Sequence, residues 1–198
     1  MSEGARRATA DDVDALGDML ARSFFDDPIA EWSCRPDDLR DGVLKAFHRA
    51  RLRQLLAHGD VWTVPSLGTA ALWAPPGAWS TSASDDVQLA RGLMRLRLLP
   101  RMPLVVGGML RIAAHHPHDP AHWYLAVLGT DPPVQHKGLA SAALAPVLAR
   151  CDGDGVGAFL ETGKERNIDF YARHGFVVTQ ERRLPRGPRY WQMWRTPR

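Results

Sequence analysis

The chain has 198 residues, of which 45% are hydrophobic, so it is large enough to bury a substantial core as one domain, residues 1–198. Its net charge of +3 is too small to indicate a nucleic-acid partner, and no run of about 18 uncharged apolar residues predicts a membrane span or membrane partner. The acidic N-terminal region lacks the charge order of a secretory signal, so we expect a cytoplasmic protein.

The first third of the chain predicts a strand followed by two helices. Residues 6–10 are expected to form a short strand, and Thr9 or Asp11 to cap the helix after it. A loop carrying Trp32 then leads into a second predicted helix over residues 36–58. Cys34 in this region and the distant Cys151 lack CxxC spacing, which favours buried free thiols over a disulfide or a zinc site.

A hairpin and an inserted helical segment occupy the middle of the chain. Strands are predicted over residues 61–64 and 69–73, and two helices separated by prolines over residues 85–115. The arginines of this insertion fit a solvated helix face better than a membrane-binding one. The histidine-rich turn after it, at residues 115–118, is not expected to bind a metal.

The most informative segment follows an apolar run at residues 123–128. It contains the pattern Gln135-x-x-Gly138-x-Ala140 directly before an apolar helical run. Glycine and small residues let a backbone pass close to a ligand, and the first turn of a helix presents unpaired N–H groups. The pattern therefore favours binding of a pyrophosphate, although its spacing matches neither Walker-type nor dinucleotide-binding loops.

This pattern resembles the acyl-CoA-binding signature of the GNAT superfamily of N-acetyltransferases. A later segment with the form Asn-x-x-Phe-Tyr-x-x-x-Gly-Phe, residues 167–176, strengthens the resemblance. With further similarity at residues 61–62, 71–73 and 187–195, the chain resembles puromycin N-acetyltransferase-like proteins over most of its length.

The resemblance implies an α/β GNAT fold, with a mixed, mostly antiparallel central sheet of about seven strands flanked by helices. The fourth and fifth strands would splay apart in a V and admit the pantetheine arm of acetyl-CoA, the cosubstrate; no metal is implied. A bulge around Val127 and Leu128 would leave an N–H free, with Val127 first, to polarise the thioester carbonyl.

The resemblance also assigns the donor site to the fourth strand, the loop after it and the closing helix. The expected acetyl-CoA contacts are Leu125, Ala126, Val127, Leu128, Gln135, His136, Lys137, Gly138, Leu139, Ala140, Ser141, Asn167, Phe170 and Tyr171. Asn167 is equally suited to cap the closing helix, and the two roles are compatible.

Two residues are candidates for catalysis. Tyr171 falls at the family's general-acid position and would protonate the departing CoA sulfur; the alternative is a core aromatic. Glu161 could remove the amine proton directly or through a water, or could instead be a strand-end carboxylate paired with Arg166 or Lys164. His122 is a poorer candidate for the base.

Aromatic and acidic residues gather around the expected acceptor mouth, where they suit a flat or cationic amine. They are Phe25, Asp26, Asp27, Glu31, Trp32, Trp73, Trp123, Tyr124 and Trp191. The leading prediction is acetyl transfer to the primary amine of a small molecule, with puromycin or a related aminonucleoside as the candidate and antibiotic resistance as the candidate role. The alternatives are a protein or peptide amine acetyltransferase and a non-catalytic acyl-CoA sensor, each as a monomer or homodimer.

Overall fold

The computed structural model describes residues 3–34, 37–57, 59–79 and 101–198. The helices are α1 (Val13–Phe24), α2 (Pro28–Ser33), α3 (Asp37–Leu56), α4 (Met102–Ala114), α5 (Leu139–Asp154) and α6 (Ile168–Arg173). The strands are β1 (Arg6–Arg7), β2 (Val61–Thr63), β3 (Thr69–Ala74), β4 (His122–Thr130), β5 (Gly157–Thr162), β6 (Val177–Arg183) and β7 (Arg189–Arg195). The first of the two helices expected within residues 85–115 lies outside the described residues.

The strands form one seven-stranded sheet in the order β1-β2-β3-β4-β5-β7-β6. Of these seven described strands, only β4 and β5 pair in parallel, and their other neighbouring pairs are antiparallel. A parallel pair needs a crossover, which α5 provides on one face of the sheet. The predicted α/β GNAT fold, with its mixed seven-stranded sheet flanked by helices, is confirmed.

The strands β4 and β5 separate part-way along their length. Their pairing runs from His122 with Gly157 to Leu125 with Leu160, beyond which β5 pairs only with β7 while β4 continues to Thr130. Among the strands that the structure describes, none therefore pairs with the far half of β4 on its β5 side. This opening is the predicted V-shaped slot.

A β-bulge in β4 lies at the start of this opening. Opposite it on β3, Leu72 pairs with Val127 but Trp73 pairs with Leu125, so Ala126 is the extra residue. The predicted position, Val127 and Leu128, was therefore one residue too late. The bulge breaks the alternation of side chains, so that Ala126 and Val127 pack on the same face.

The sheet has a hydrophobic core on each face. On one face α5 and α6 cover residues such as Trp73, Trp123 and Leu160. On the other, α1 and α3 cover Leu72 and Val127. Helix α1 buries its apolar positions because they recur at helical spacing along a single side.

The segment around Trp32 is a helix and not the predicted loop. Asp27 caps it, because its carboxylate accepts hydrogen bonds from the backbone N–H groups of Ile29 and Ala30 at 2.9 and 3.3 Å. Pro28 then stands in the first turn, where no N–H is needed. Both cysteines are buried, as expected. Among the described helices, none is long and apolar enough to cross a bilayer.

Candidate active site

The loop before α5 has the conformation that the glycine pattern predicts. Gly138 adopts φ +80° at the N-terminus of α5, and a Cβ built there would meet no atom within 4 Å. The backbone therefore needs glycine for its left-handed geometry, and the space beside it is open. Gln135 holds the loop against the end of β4, because its side-chain amide donates to the Thr130 carbonyl at 3.2 Å.

A cleft of about 680 Å³ lies between the N-terminus of α5, the free end of β4 and helix α6. We call it the α5 cleft. Most of the residues predicted to bind the donor line it: Leu128, Gln135, His136, Gly138, Leu139, Ala140, Ser141, Asn167, Phe170 and Tyr171. The predicted contacts Leu125, Ala126, Val127 and Lys137 are not among its lining residues. The side chains of Leu125 and Val127 are buried in the cores, and Lys137 is exposed.

Sequence reasoning missed three cations that line the α5 cleft, Lys164, Arg166 and Arg173. The signal is present in the sequence, since Lys164 and Arg166 precede the Tyr171 helix and Arg173 ends it, but the sequence alone suggests the first two as partners of Glu161. The structure pairs those two with Asp26 instead, at 2.5 Å for Lys164 and 3.0 Å for Arg166. Asp26 thus joins the α1–α2 connection to the β5–α6 connection at the edge of the cleft.

Tyr171 lies on α6 with its ring in the core and its edge on the α5 cleft. Among the described residues, none forms a hydrogen bond with its hydroxyl. Burial, and then the charge of Asp27, raise the pKa of the Tyr171 phenol well above its usual value. The phenol is therefore protonated at neutral pH and has a proton to donate.

Asn167 does not cap the helix that it precedes, since its side chain makes no capping hydrogen bond. The amide instead donates to the Thr162 hydroxyl at 3.5 Å, a distance at the limit for a hydrogen bond, at the end of β5. The capping interpretation is therefore wrong. The side chain lines the α5 cleft, and its contact with the donor stays a prediction.

Glu161 stands one residue beyond the last β4–β5 pair, on the sheet face opposite Leu160 and Tyr171. Its side chain is 8% exposed, and neither carboxylate oxygen has a hydrogen-bond partner among the described residues. Burial raises the pKa of Glu161 from 4.5 to about 7, against smaller lowering effects of the Tyr124 hydroxyl and the Gln192 amide nearby. Its suggested pairing with Arg166 or Lys164 is wrong.

Three tryptophans expected at the acceptor mouth lie in the interior. Trp73 and Trp123 point to the face that α5 covers, so they belong to its core. Trp32 packs against Leu184, and its indole N–H donates to the Pro185 carbonyl at 3.2 Å. These three residues are unavailable to a substrate, because each lies on the side of its strand or helix that packs into a hydrophobic core.

The other predicted acceptor residues occupy several places. Trp191 and Asp26 line a groove of about 430 Å³, which we call the Trp191 groove, beside the α5 cleft. Glu31 lies 3.6 Å from the Arg40 guanidinium, which also stacks on the ring of the exposed Phe25 at 5.0 Å. The remaining two are Asp27, which caps α2 and lines the α5 cleft, and Tyr124, which lies beside Glu161.

The described part of the chain contains no group of three or more His, Cys, Asp or Glu side chains placed to hold a metal ion. The α5 cleft combines a helix N-terminus with an open glycine, three cations and a strand with one free backbone edge. These features suit an anionic, extended ligand that carries amides. The model of the acetyltransferase (GNAT) family matches residues 66–176, which include all of these features.

The chain belongs to the GNAT acetyltransferase family.

Relatives of this GNAT protein match it over most of its length. An uncharacterized N-acetyltransferase of Schizosaccharomyces pombe is 25% identical over 92% of this chain and 77% of its own. A structure described as histone acetyltransferase HPA2 and related acetyltransferase, from Corynebacterium glutamicum, is 23% identical with a TM-score of 0.71, over 100% of this chain and 98% of that one. Arylalkylamine N-acetyltransferase 2 from Aedes aegypti is 14% identical with a TM-score of 0.63, over 98% of both chains. The two structures share the fold of this chain.

Proposed function

We propose that this GNAT protein transfers an acetyl group from acetyl-CoA to the primary amine of a small molecule. The observation that carries the proposal is the α5 cleft, where the Gly138 loop, the free edge of β4 and the Tyr171 side chain meet. The geometry supports direct transfer, with donor and acceptor held together on the two sides of the β4–β5 opening.

The donor fits the cleft through backbone groups and charge. N–H groups at the start of α5 would bind its pyrophosphate, and Gly138 leaves the approach open. Lys164, Arg166 and Arg173 would attract its phosphates. The amides of the pantetheine arm would pair with the free edge of β4 as an added strand does.

Tyr171 and Glu161 would act from opposite faces of the sheet. The Tyr171 phenol gives its proton to the departing thiolate sulfur. The Glu161 carboxylate takes a proton from the amine nitrogen, whose lone pair then attacks the thioester carbonyl. The pKa of about 7 at Glu161 suits an amine of pKa about 7.7–8.0 better than a lysine-like amine near 10.4.

A small acceptor is favoured by the depth of Glu161 below the surface, since only a slender amine can approach its carboxylate. Aminonucleosides such as puromycin are the first candidates, because their amine is of the less basic kind, and antibiotic resistance would be the corresponding role. The arylalkylamine acetyltransferase of Aedes aegypti, which shares the fold, makes arylalkylamines a natural second set to test.

The test is release of free CoA thiol from acetyl-CoA in the presence of aminonucleosides, arylalkylamines, polyamines, aminoglycosides, amino acid derivatives and peptides. We expect turnover with at least one of these and none without an amine. Turnover with peptides alone would favour the protein-acetylating alternative. Binding of acetyl-CoA without turnover on any amine would favour the sensor, and absence of acetyl-CoA binding by calorimetry would reject the proposal.

A further inference from the structure

Two buried histidines form a chain that leads to Glu161. The Nε2 atoms of His116 and His122 lie 3.1 Å apart, and Nδ1 of His122 lies 2.8 Å from the Pro120 carbonyl oxygen. At the other end, Nδ1 of His116 lies 3.9 Å from Oε1 of Glu161. The stacked ring of Trp79, 4.0 Å away centroid to centroid, covers His116.

This chain of contacts fixes the positions of the imidazole protons. The Pro120 carbonyl only accepts hydrogen bonds, so His122 must carry its proton on Nδ1. Burial lowers the pKa of both histidines, so each ring is neutral and Nε2 of His122 is an acceptor. His116 must then donate from Nε2, which leaves its Nδ1 without a proton and facing Glu161.

A bare ring nitrogen next to an ionised carboxylate places two lone pairs opposite each other. A single proton between the two atoms removes this repulsion, because either atom can then donate to the other. Within the described ranges, no fixed charge contacts the carboxylate to compete: the other groups there that face it are Tyr124 from β4 and Gln192 and Tyr190 from β7.

We propose that Glu161 and His116 hold one proton in common and act together as the base of the proposed acetyl transfer, with His122 as the residue that fixes the His116 tautomer. The proposal rests on the proposed role of Glu161. The amine N–H bond breaks, its proton bonds to Glu161 and is shared with Nδ1 of His116, and the electron pair stays on the amine nitrogen. The proton leaves to water with the product. Contacts of this kind are often long before the substrate binds, so a shift of about 1 Å would complete the hydrogen bond.

The decisive variant is His122→Phe. Phenylalanine keeps the aromatic contacts with Phe159 and Trp194 but removes the acceptor for His116 Nε2–H. His116 can then move its proton to Nδ1 and donate to the ionised carboxylate, which favours the charged form of Glu161. We expect the pKa of Glu161 to fall by about one pH unit or more.

The readout is infrared titration of the buried carboxyl group in the protein without an acceptor, assigned by its loss in Glu161→Gln. The acid limb of the kcat/KM profile should shift in parallel. His122→Gln provides the rescue, since its amide oxygen can accept from His116 and should restore the wild-type titration. His118→Phe is the control on the same turn. His118 also lowers the pKa of His116 through its charge, but it is not one of the contacts that link Pro120, His122, His116 and Glu161.

An unchanged Glu161 titration in His122→Phe would overturn the shared base while leaving acetyl transfer intact. A shift in both His122→Phe and His122→Gln would also contradict it, because the tautomer would not be the cause. The infrared measurement needs no turnover, so a failure of the proposed function is seen separately, in the thiol-release assay.

Discussion

Tyr171 and Glu161 differ in what their surroundings do to their protons. Burial raises the pKa of both groups, but the consequence is opposite. The phenol of Tyr171 stays protonated at neutral pH, as an unshifted tyrosine does, whereas the carboxyl of Glu161 is brought near half-protonation at pH 7. A group that keeps its proton until a thiolate forms and a group that exchanges its proton near neutral pH suit an acid and a base.

The first residue to test is Tyr171. Tyr171→Phe keeps the aromatic packing against Phe170 and Phe176 and removes only the hydroxyl. We expect kcat to fall by about tenfold or more, since general acid catalysis typically contributes about 10² to 10⁴. Steady-state kinetics measures this fall, and calorimetry should show acetyl-CoA binding as in the wild type. An unchanged kcat would reject Tyr171 as the acid.

The raised pKa of Glu161 also predicts how the stability of the folded protein depends on pH. The ionised carboxylate that the proposed activity needs lowers the free energy of unfolding. Its folded-state pKa of about 7 lies above the unfolded value near 4.5, so the folded protein binds the proton more tightly. Stability therefore falls as pH rises from 4.5 to 7, by an amount on the order of 3 kcal/mol at 1.36 kcal/mol per pH unit.

Glu161→Gln is neutral at every pH and escapes this loss. We expect the variant to match the wild type near pH 4 and to be more stable by an amount on the order of 3 kcal/mol above pH 7, with acetyl transfer strongly reduced. Urea unfolding at a series of pH values measures the difference. A stability difference that does not change with pH would show that the carboxyl is not held protonated by its surroundings.

At the scale of elements, the Gly138 loop and the N-terminus of α5 line the end of the α5 cleft that we propose binds the donor phosphates. Gly138 has a left-handed backbone and open space beside it. Gly77 has the same φ of +80° and the same open space, but it lies in a turn outside the cleft. The two glycines therefore form a matched pair.

Gly138→Ala and Gly77→Ala should each cost about 1 kcal/mol of stability, because both place a Cβ in the left-handed region. Only Gly138→Ala should weaken acetyl-CoA binding, since its methyl group projects where the donor phosphates approach. Calorimetric titration of both variants compares the two effects. Equal donor affinity in the two would place the pyrophosphate elsewhere.

At the scale of the whole molecule, the seven-stranded sheet joins segments from both ends of the chain. β1 lies at one edge of the sheet, while β6 and β7 lie at the other. Long-range ion pairs add to this connection, such as Arg195 with Asp152 at 2.7 Å and Arg22 with Asp131 at 2.6 Å. We propose on this basis that residues 1–198 act as one domain.

One domain should unfold in one calorimetric transition. Acetyl-CoA at about 100 times its Kd should stabilise it by about 2.7 kcal/mol, which corresponds to a Tm increase of about 5–10 °C for a chain of this size. Differential scanning calorimetry with and without the donor measures both. Two separate transitions, of which only one responds to acetyl-CoA, would contradict the single domain.

The sequence by itself determined the elements whose signals are local. The left-handed glycine before an apolar helix, the apolar β4 run and the Asn-x-x-Phe-Tyr helix each depend on residues a few positions apart, so the Gly138 loop, β4 and α6 could be predicted. The β4–β5 opening and the choice of Tyr171 came from the family resemblance that these segments carry. The short helix α2 was missed because its cap, Asp27, is also a common loop residue.

Only the tertiary structure decided which side chains reach the site. The residue type does not distinguish Trp73 and Trp123 from Trp191. The first two lie on the sheet face that α5 covers and belong to a core, whereas Trp191 lines the Trp191 groove. Lys164 and Arg166 form ion pairs with Asp26 and not with Glu161, because the partner of a charged side chain depends on which loops meet in space. The histidines beside Glu161 come from separate turns and strands, and no spacing along the chain encodes such a meeting.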